Sequence, residues 1–274
     1  MDIQTLAHTD ISTLVNTLTK AFKGYFVEMP NDVAYWDHRF KASRVNYDLS
    51  TGVFDQDRLV AFIVNAVDNV NGEMTAHNTG TGVIPHYRGQ KWVDKMYDFI
   101  LPIFQEKGIQ TCSLEVIDQN ERAIRVYKRI GFEIRKRIVC YKGRIQTHSH
   151  MKPYLEPFPL EKLPALAGDP SMYSWDNTLT TVLRAKDKYK GYQVWDNEKK
   201  ETYIGHFVMQ SPTGYIPQLE ALDEDWEAML QAISQINYFI SINNIDERRT
   251  GLIKVLQQHK LMNTINQYEM EMSI

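Results

Sequence analysis

Chemistry is most legible in the run VIPHYRGQKWV, residues 83–93, where an Arg-Gly pair opens onto a helical pattern. The first turn of a helix leaves backbone N–H groups unpaired and carries about half a positive charge, so it suits phosphate oxygens. Arg88 adds a planar cation able to reach two oxygens, and Gly89 lets the main chain come close. Neither common nucleotide loop fits: the sequence has no GxxxxGK[ST], and Gly80 and Gly82 fall inside the preceding strand rather than in a GxGxxG turn.

The elements that must hold this turn follow from periodicity. Thr9 or Asp10 can cap a helix with Ile11, Leu14, Val15 and Leu18 on one face, and a second helix carries Val33, Trp36 and Phe40. STGVFDQDRLVAFIVNAV reads as two strands around an Asp-Gln-Asp turn, and EMTAHNTGTGVIP as a third. From 90 to 107 the spacing is again helical, with Pro102 bending the helix and Gly108 closing it. TCSLEVI is a buried strand. Asn120 then caps a helix presenting Ala123, Val126, Tyr127 and Ile130 and stopping at Gly131, and FEIRKRIVCYKG supplies one or two final strands. The order predicts an α/β (mixed α+β) fold, a mixed twisted sheet flanked by helices.

Half of the ten prolines lie between Pro153 and Pro170, which marks residues 149–170 as a linker between a domain at 1–148 and a smaller one at 171–274. YQVWDN and TYIGHFVMQ read as strands, DEDWEAMLQAISQ as a helix, YFISINNI as a strand, DERRTGLIKVLQQHKL as a helix and INQYEMEMSI as a strand. A shift of 126 residues sets Asn120 on Asp246, Glu121 on Glu247, Arg122 on Arg248 and Lys128 on Lys254, a weak internal repeat in which Ile253 replaces Tyr127.

LEVIDQNERAIRVYKRIGF, residues 114–132, taken together with VIPHYRG, resembles the GNAT superfamily of N-acetyltransferases. The pattern V-x-P-x-x-R-G followed by N-x-x-A-x-x-x-Y-x-x-x-G-F is met by Val83, Pro85, Arg88, Gly89, Asn120, Ala123, Tyr127, Gly131 and Phe132. The resemblance covers the first ~145 residues and implies two GNAT-like halves, the second degenerate. It implies acetyl-CoA as co-substrate, with Val83 and Ile84 offering backbone contacts and Arg88, Gly89, Gln90, Lys91, Trp92 and Val93 cradling the pyrophosphate. Asn120 would sit near the pantetheine, and Tyr127 would protonate the departing thiolate. A core position on an amphipathic helix is the alternative for Tyr127. Lys91 and Val93 stand where the family carries small residues. The Lys91 ammonium either points at the phosphates or its side chain takes their place.

The acceptor of such a transfer is a primary amine on a small molecule or peptide. A lysine-like amine (pKa ~10.4) is neutral about one time in 2,500 at pH 7, a penalty near 4.6 kcal/mol, whereas an α-amine near 8 costs about 1.4 kcal/mol. An alkyl amine therefore benefits from a base, and Glu115 is the candidate, with water or a backbone carbonyl as competitor and an ordinary strand glutamate as the structural alternative. The rival function is an inactive acyl-CoA-binding or regulatory module, suggested by the departures at Lys91 and Val93.

Charge and composition narrow the class. Lys and Arg (31) nearly balance Asp and Glu (34), which argues against a nucleic-acid or membrane partner. Cys112 and Cys140, both in strand-like runs, are expected to be reduced thiols, and the first residues lack a signal pattern, so a cytoplasmic monomer or homodimer is expected. His148 and His150 have no Cys or third His nearby, and no metal is expected.

Overall fold

The computed structural model of the chain describes residues 1–70, 72–146 and 152–274. His148 and His150 lie outside these residues. The chain folds as two compact units, Met1–Arg135 with Glu269–Ile274, and Lys136–Tyr268.

The first unit contains β1 (Asp2–Thr5), α1 (Ile11–Ala21), α2 (Val33–Ser43), β2 (Thr51–Asp55), β3 (Arg58–Val70), β4 (Glu73–Val83), α3 (Trp92–Glu106), β5 (Thr111–Ile117) and α4 (Glu121–Ile130). The Asp10 carboxylate accepts the Thr13 N–H at 2.9 Å and Asn120 accepts the Ala123 N–H at 3.2 Å, so both expected caps form. α3 runs through Pro102, and Gly108 closes the turn after it at φ +69°. Strands β1 to β4 pair antiparallel in sequence order, and β5 pairs parallel to β4. Phe62 and Ile63 on the sheet, Leu14 on α1, and Met96, Tyr97, Ile100 and Phe104 on α3 are buried, which places apolar layers on the sheet.

β6 (Glu133–Arg144) carries the chain into the second unit, which continues with β7 (Tyr154–Phe158), α5 (Leu179–Arg184), β8 (Lys190–Trp195), β9 (Tyr203–Gln210), β10 (Tyr215–Ala221), α6 (Trp226–Ser234), β11 (Phe239–Asp246), α7 (Thr250–Gln258) and the part of β12 (Met262–Ser273) that precedes residue 269. Strands β7, β8, β9 and β10 pair antiparallel in sequence order, β10 meets β11 in parallel, and β11 pairs antiparallel with β6. Its core gathers Phe207 and Met209 on β9, Ile216 and Leu219 on β10, Met229, Leu230 and Ile233 on α6, and Leu252 and Leu256 on α7.

The structure differs from the sequence-based division in three respects, the first being that residues 136–146, expected in the first domain, fold with the second unit. Residues 154–158, inside the Pro-rich stretch, form β7, and Phe158, Leu160 and Leu163 pack with Val182 and Val208 in a small apolar cluster of the second unit. Residues 269–274 fold with the first unit although 171–274 reads as one periodic block.

Candidate active site

The site begins with a fault in β4. Val64 pairs with Gly80 but Asn65 with Asn78, so Thr79 is an extra residue, a bulge that bends the strand. Pairing of β4 with β5 ends at Asn78 opposite Leu114, and beyond it the two strands part. Ile84 donates its N–H to the Val60 carbonyl at 3.0 Å, so by alternation Val83 and Thr81 turn their backbone groups away from β3, toward the opening. The opening is roomy where it must be, because a Cβ built on Gly80 or Gly89 meets nothing within 4 Å. Gly82 serves packing instead: a Cβ there would stand 2.5 Å from the Phe62 ring and 2.9 Å from Ala21.

Residues 84–91 lead from β4 to α3. Gly89 adopts φ +83°, and Lys91, at the N-cap of α3, adopts the left-handed conformation at φ 57°, ψ 33°, without a side-chain cap bond. That conformation is the physical reason a glycine suits position 91. It also leaves the first-turn donors of α3, including those of Trp92 and Val93, without a side-chain acceptor from the N-cap. Gln90 and Lys91 are exposed, Ile84 is buried, and Trp92 is buried under the Lys95 ammonium, 4.2 Å from the ring centroid.

Arg88 is placed differently from the sequence expectation of a phosphate fork. Its Nε donates to the Val83 carbonyl at 3.1 Å and its Nη2 to the Ala21 carbonyl at 2.8 Å, so the guanidinium ties the loop to the last turn of α1. Tyr87 anchors the same loop to the β2–β3 turn through the Asp55 carboxylate. Asp94, in the first turn of α3, would repel an anion, but Arg129 of α4 grips it with two bonds of 2.7 and 2.8 Å and holds its carboxyl below the usual range.

Tyr127 projects from α4 into the base of the opening. Its ring is buried and meets Phe132 edge-on at 5.8 Å, and its hydroxyl hydrogen-bonds with Thr81 and Asn78. Asn78 Nδ2 also donates to Thr81 Oγ1 at 2.7 Å and to the Tyr97 hydroxyl at 2.9 Å. Burial pushes the Tyr127 phenol up to about 12, the hydrogen bonds from Thr81 and Asn78 opposing it, so it is a protonated donor at neutral pH. Asn120 spends its Oδ1 on the α4 cap and donates its amide to the Tyr25 hydroxyl at 3.3 Å, from the segment after α1.

Glu115 is the first residue of β5 past the last β4–β5 pair and is half-buried. Asn78 and Leu114 are register partners and share a face, so Tyr127 approaches from the Leu114 side and Glu115 points to the other. On that second face His77 Nδ1 lies 2.9 Å from Ser113 Oγ, both buried. Asn78, Thr81 and Tyr97 escaped the sequence reading. The signal available was the run Asn78-Thr79-Gly80-Thr81, too polar for the middle of a buried strand unless that strand is split.

No group of three or more His, Cys, Asp or Glu side chains able to hold a metal occurs among the described residues. No helix among them is long and apolar enough to cross a membrane.

A parallel strand pair thus parts at a bulge, with an uncapped helix N-terminus at the split and a buried phenol beneath it. Residues 14–132 match the model of the acetyltransferase (GNAT) family. Solved structures with the same fold along the whole chain include a putative acetyltransferase from Pyrococcus horikoshii (16% identity, 100% of this chain and 89% of that one, TM-score 0.70). A GCN5-related N-acetyltransferase from Sphaerobacter thermophilus (10% identity, 99% and 95%, TM-score 0.71) is similar. So is a tandem GNAT protein from the clavulanic acid biosynthesis pathway (10% identity, 99% and 98%, TM-score 0.69), and the tandem architecture is shared. No curated protein matches the chain.

Proposed function

We propose that the first unit is an acetyl-CoA-dependent N-acetyltransferase that passes an acetyl group to a primary amine of a small-molecule or peptide acceptor by direct attack. The observation that carries this is the split between β4 and β5 with the Tyr127 phenol at its base and the uncapped N-terminus of α3 at its mouth. The residues fit the co-substrate: Thr81 and Val83 turn backbone groups toward the split, the Val83 carbonyl being held by Arg88, Gly80 and Gly89 leave clearance, and residues 89–93 carry main-chain donors at the start of α3 suited to an anion. Acetyl-CoA supplies the activated acyl group as a thioester.

Tyr127 holds a proton for the leaving sulfur. In water a phenol at about 12 is a weaker acid than an alkyl thiol near 8.5, and full transfer would be uphill by about 4.8 kcal/mol. Cys112, buried on the same face of the sheet, shows what this environment does to a thiol, since burial pushes it up to about 12 as well. Desolvation raises a thiol as it raises a phenol, so excluding water from the leaving sulfur narrows its gap to Tyr127, the condition under which proton donation is efficient. Glu115 is the base of this reading, taking the proton of an incoming ammonium; its position on the face opposite Leu114 supports an acid and a base on two sides of the acyl carbon. Arg88 acts here as a tie for the loop, and Lys91 as the mobile cation facing the diphosphate.

The second reading, an acyl-CoA-binding module without turnover, is favoured by one observation: both guanidinium contacts of Arg88 are internal, so the charge facing the phosphates rests on Lys91. A cytoplasmic monomer or homodimer without a nucleic-acid or membrane partner completes the proposal. Calorimetric titration with acetyl-CoA, followed by a thiol-release screen of amines with the wild type and Tyr127→Phe, decides between them. The transferase requires turnover with at least one amine, reduced at least about 100-fold in Tyr127→Phe; binding without any turnover selects the module, and no binding at millimolar ligand ends both.

A further inference from the structure

The second unit repeats the fault that opens the first. The register of β10 against β9 shifts between Tyr215 and Gln218, and β10 meets β11 at a single position, Tyr215 with Ser241, before the strands part. A parallel pair split after a bulge is thus present twice, followed each time by a helix that begins with tryptophan, Trp92 of α3 and Trp226 of α6.

What fills the second split is the chain itself. The Tyr173 hydroxyl, which donates to the Glu220 carboxylate, accepts the Leu219 N–H at 3.4 Å and lies 3.2 Å from the Leu219 carbonyl, which accepts Arg249 Nη2 at 2.7 Å, so both backbone groups that β10 turns toward the opening are taken by the chain. Asn177 spans the split: its Nδ2 donates to the Asn243 carbonyl of β11 at 2.9 Å, while Gln218 and Tyr215 of β10 donate to its carbonyl and side-chain oxygens. Asn244 donates to Ser174 Oγ at 3.3 Å, and Ser174 and Asn177 are 0% and 3% exposed. Lys136 holds the start of the segment by donating to the Ser171 carbonyl at 2.7 Å. Amide and hydroxyl groups meeting the free edges of two parted strands are the chemistry that a pantetheine arm, with its two amides and hydroxyl, would offer in the same place.

The mouth of the second split is also closed to anions. Four residues, 222–225, join β10 to α6, against eight, 84–91, between β4 and α3. Three of the four are acidic, with Asp223 and Glu224 in the left-handed region at φ 51° and 56°. Asp225 caps α6 with its own carboxylate, which accepts the Ala228 N–H at 3.1 Å, whereas the N-cap Lys91 gives α3 no such acceptor.

We infer that residues 171–178 are a built-in occupant of the second unit's cofactor cleft, so that the chain has one acyl-CoA site, in the first unit. The count of one rests on the function proposed above; the closure of the second cleft does not. The test is calorimetric titration of the full chain with acetyl-CoA, together with amide hydrogen exchange with and without the ligand. The expected result is one site per chain, weakened at least about tenfold by Lys91→Glu. Ligand-induced protection should be confined to residues 80–93 and 117–127, with Leu219 exchanging slowly in both states. Two sites overturn the inference, as does one site that Lys91→Glu leaves at wild-type affinity or new protection over residues 215–226. Absence of all binding removes the function proposed for the first unit while remaining what a closed second cleft requires, so the two failures are distinguishable.

Discussion

Replacing Lys91 by glycine perturbs stability and binding in opposite directions, and both magnitudes follow from the structure. The residue sits at φ 57° with an exposed side chain that makes no cap bond, so removing the side chain costs the fold little. Relief of the left-handed conformation returns about 1 kcal/mol, offset by about 0.5–1 kcal/mol of added backbone freedom in the unfolded chain. The melting temperature should therefore stay level or rise by up to about 2 °C. For binding, an ammonium about 6 Å from a diphosphate of about two charges contributes about 1.4 kcal/mol in bulk water before salt screening. Screening leaves about 1.1 kcal/mol at 0.01 M salt and about 0.7 kcal/mol at 0.15 M. Titration calorimetry should accordingly show acetyl-CoA binding weakened about sevenfold in Lys91→Gly at low salt and about threefold at physiological salt. Tighter binding at both salts would refute the reasoning, since it would mean that the side chain stands where the phosphates belong.

Gly82→Ala should destabilise the chain by about 1–3 kcal/mol in urea titrations, because the added methyl meets Phe62 at 2.5 Å and Ala21 at 2.9 Å. Tyr127 is held at about 12 against an unfolded value near 10, so the stability it contributes is complete below pH 10 and is lost as pH rises toward 12. Tyr127→Phe should remove about 2–3 kcal/mol of that alkaline loss, read from denaturation midpoints between pH 9 and 12. His206, 2% exposed and pushed by burial down to about 4, acts in the reverse sense: its contribution is complete above pH 6.5 and falls by about 3 kcal/mol as pH drops to 4, a slope that His206→Gln should flatten. The Cys112 thiol, raised to about 12, should resist a disulfide reagent at pH 8 in the native chain and react on unfolding.

Local signals carried the parts of the molecule whose cause is local. Asn120 as a cap and Gly131 as a stop delimit α4, and its apolar spacing aims Tyr127 inward, so that helix was legible from ten residues. The strand β10 was not, because Pro217 and the bulge destroy the alternation that marks a strand. Arg88 has the residue type of a phosphate ligand, and only the proximity of Ala21, 67 residues away, reveals where its guanidinium goes. The repeat at a shift of 126 exposed the shared order of elements, whereas the filling of the second cleft depends on Tyr173 and Asn177 meeting strands about 40 to 66 residues further on, which no periodicity records.

Residues 269–274 complete the first unit, and the Ile274 N–H donates to the Gln110 carbonyl across 164 positions of sequence (274 − 110). Synthesis therefore runs through the entire second unit before the first can acquire its last segment. During that interval the edge of β5 is an unpaired template, open to the wrong strand or to another nascent chain, and the final closure is the step of highest loop entropy in the molecule. Fragments that stop at Arg135 should accordingly be recovered mainly as aggregates, even though they contain every side chain assigned to the chemistry.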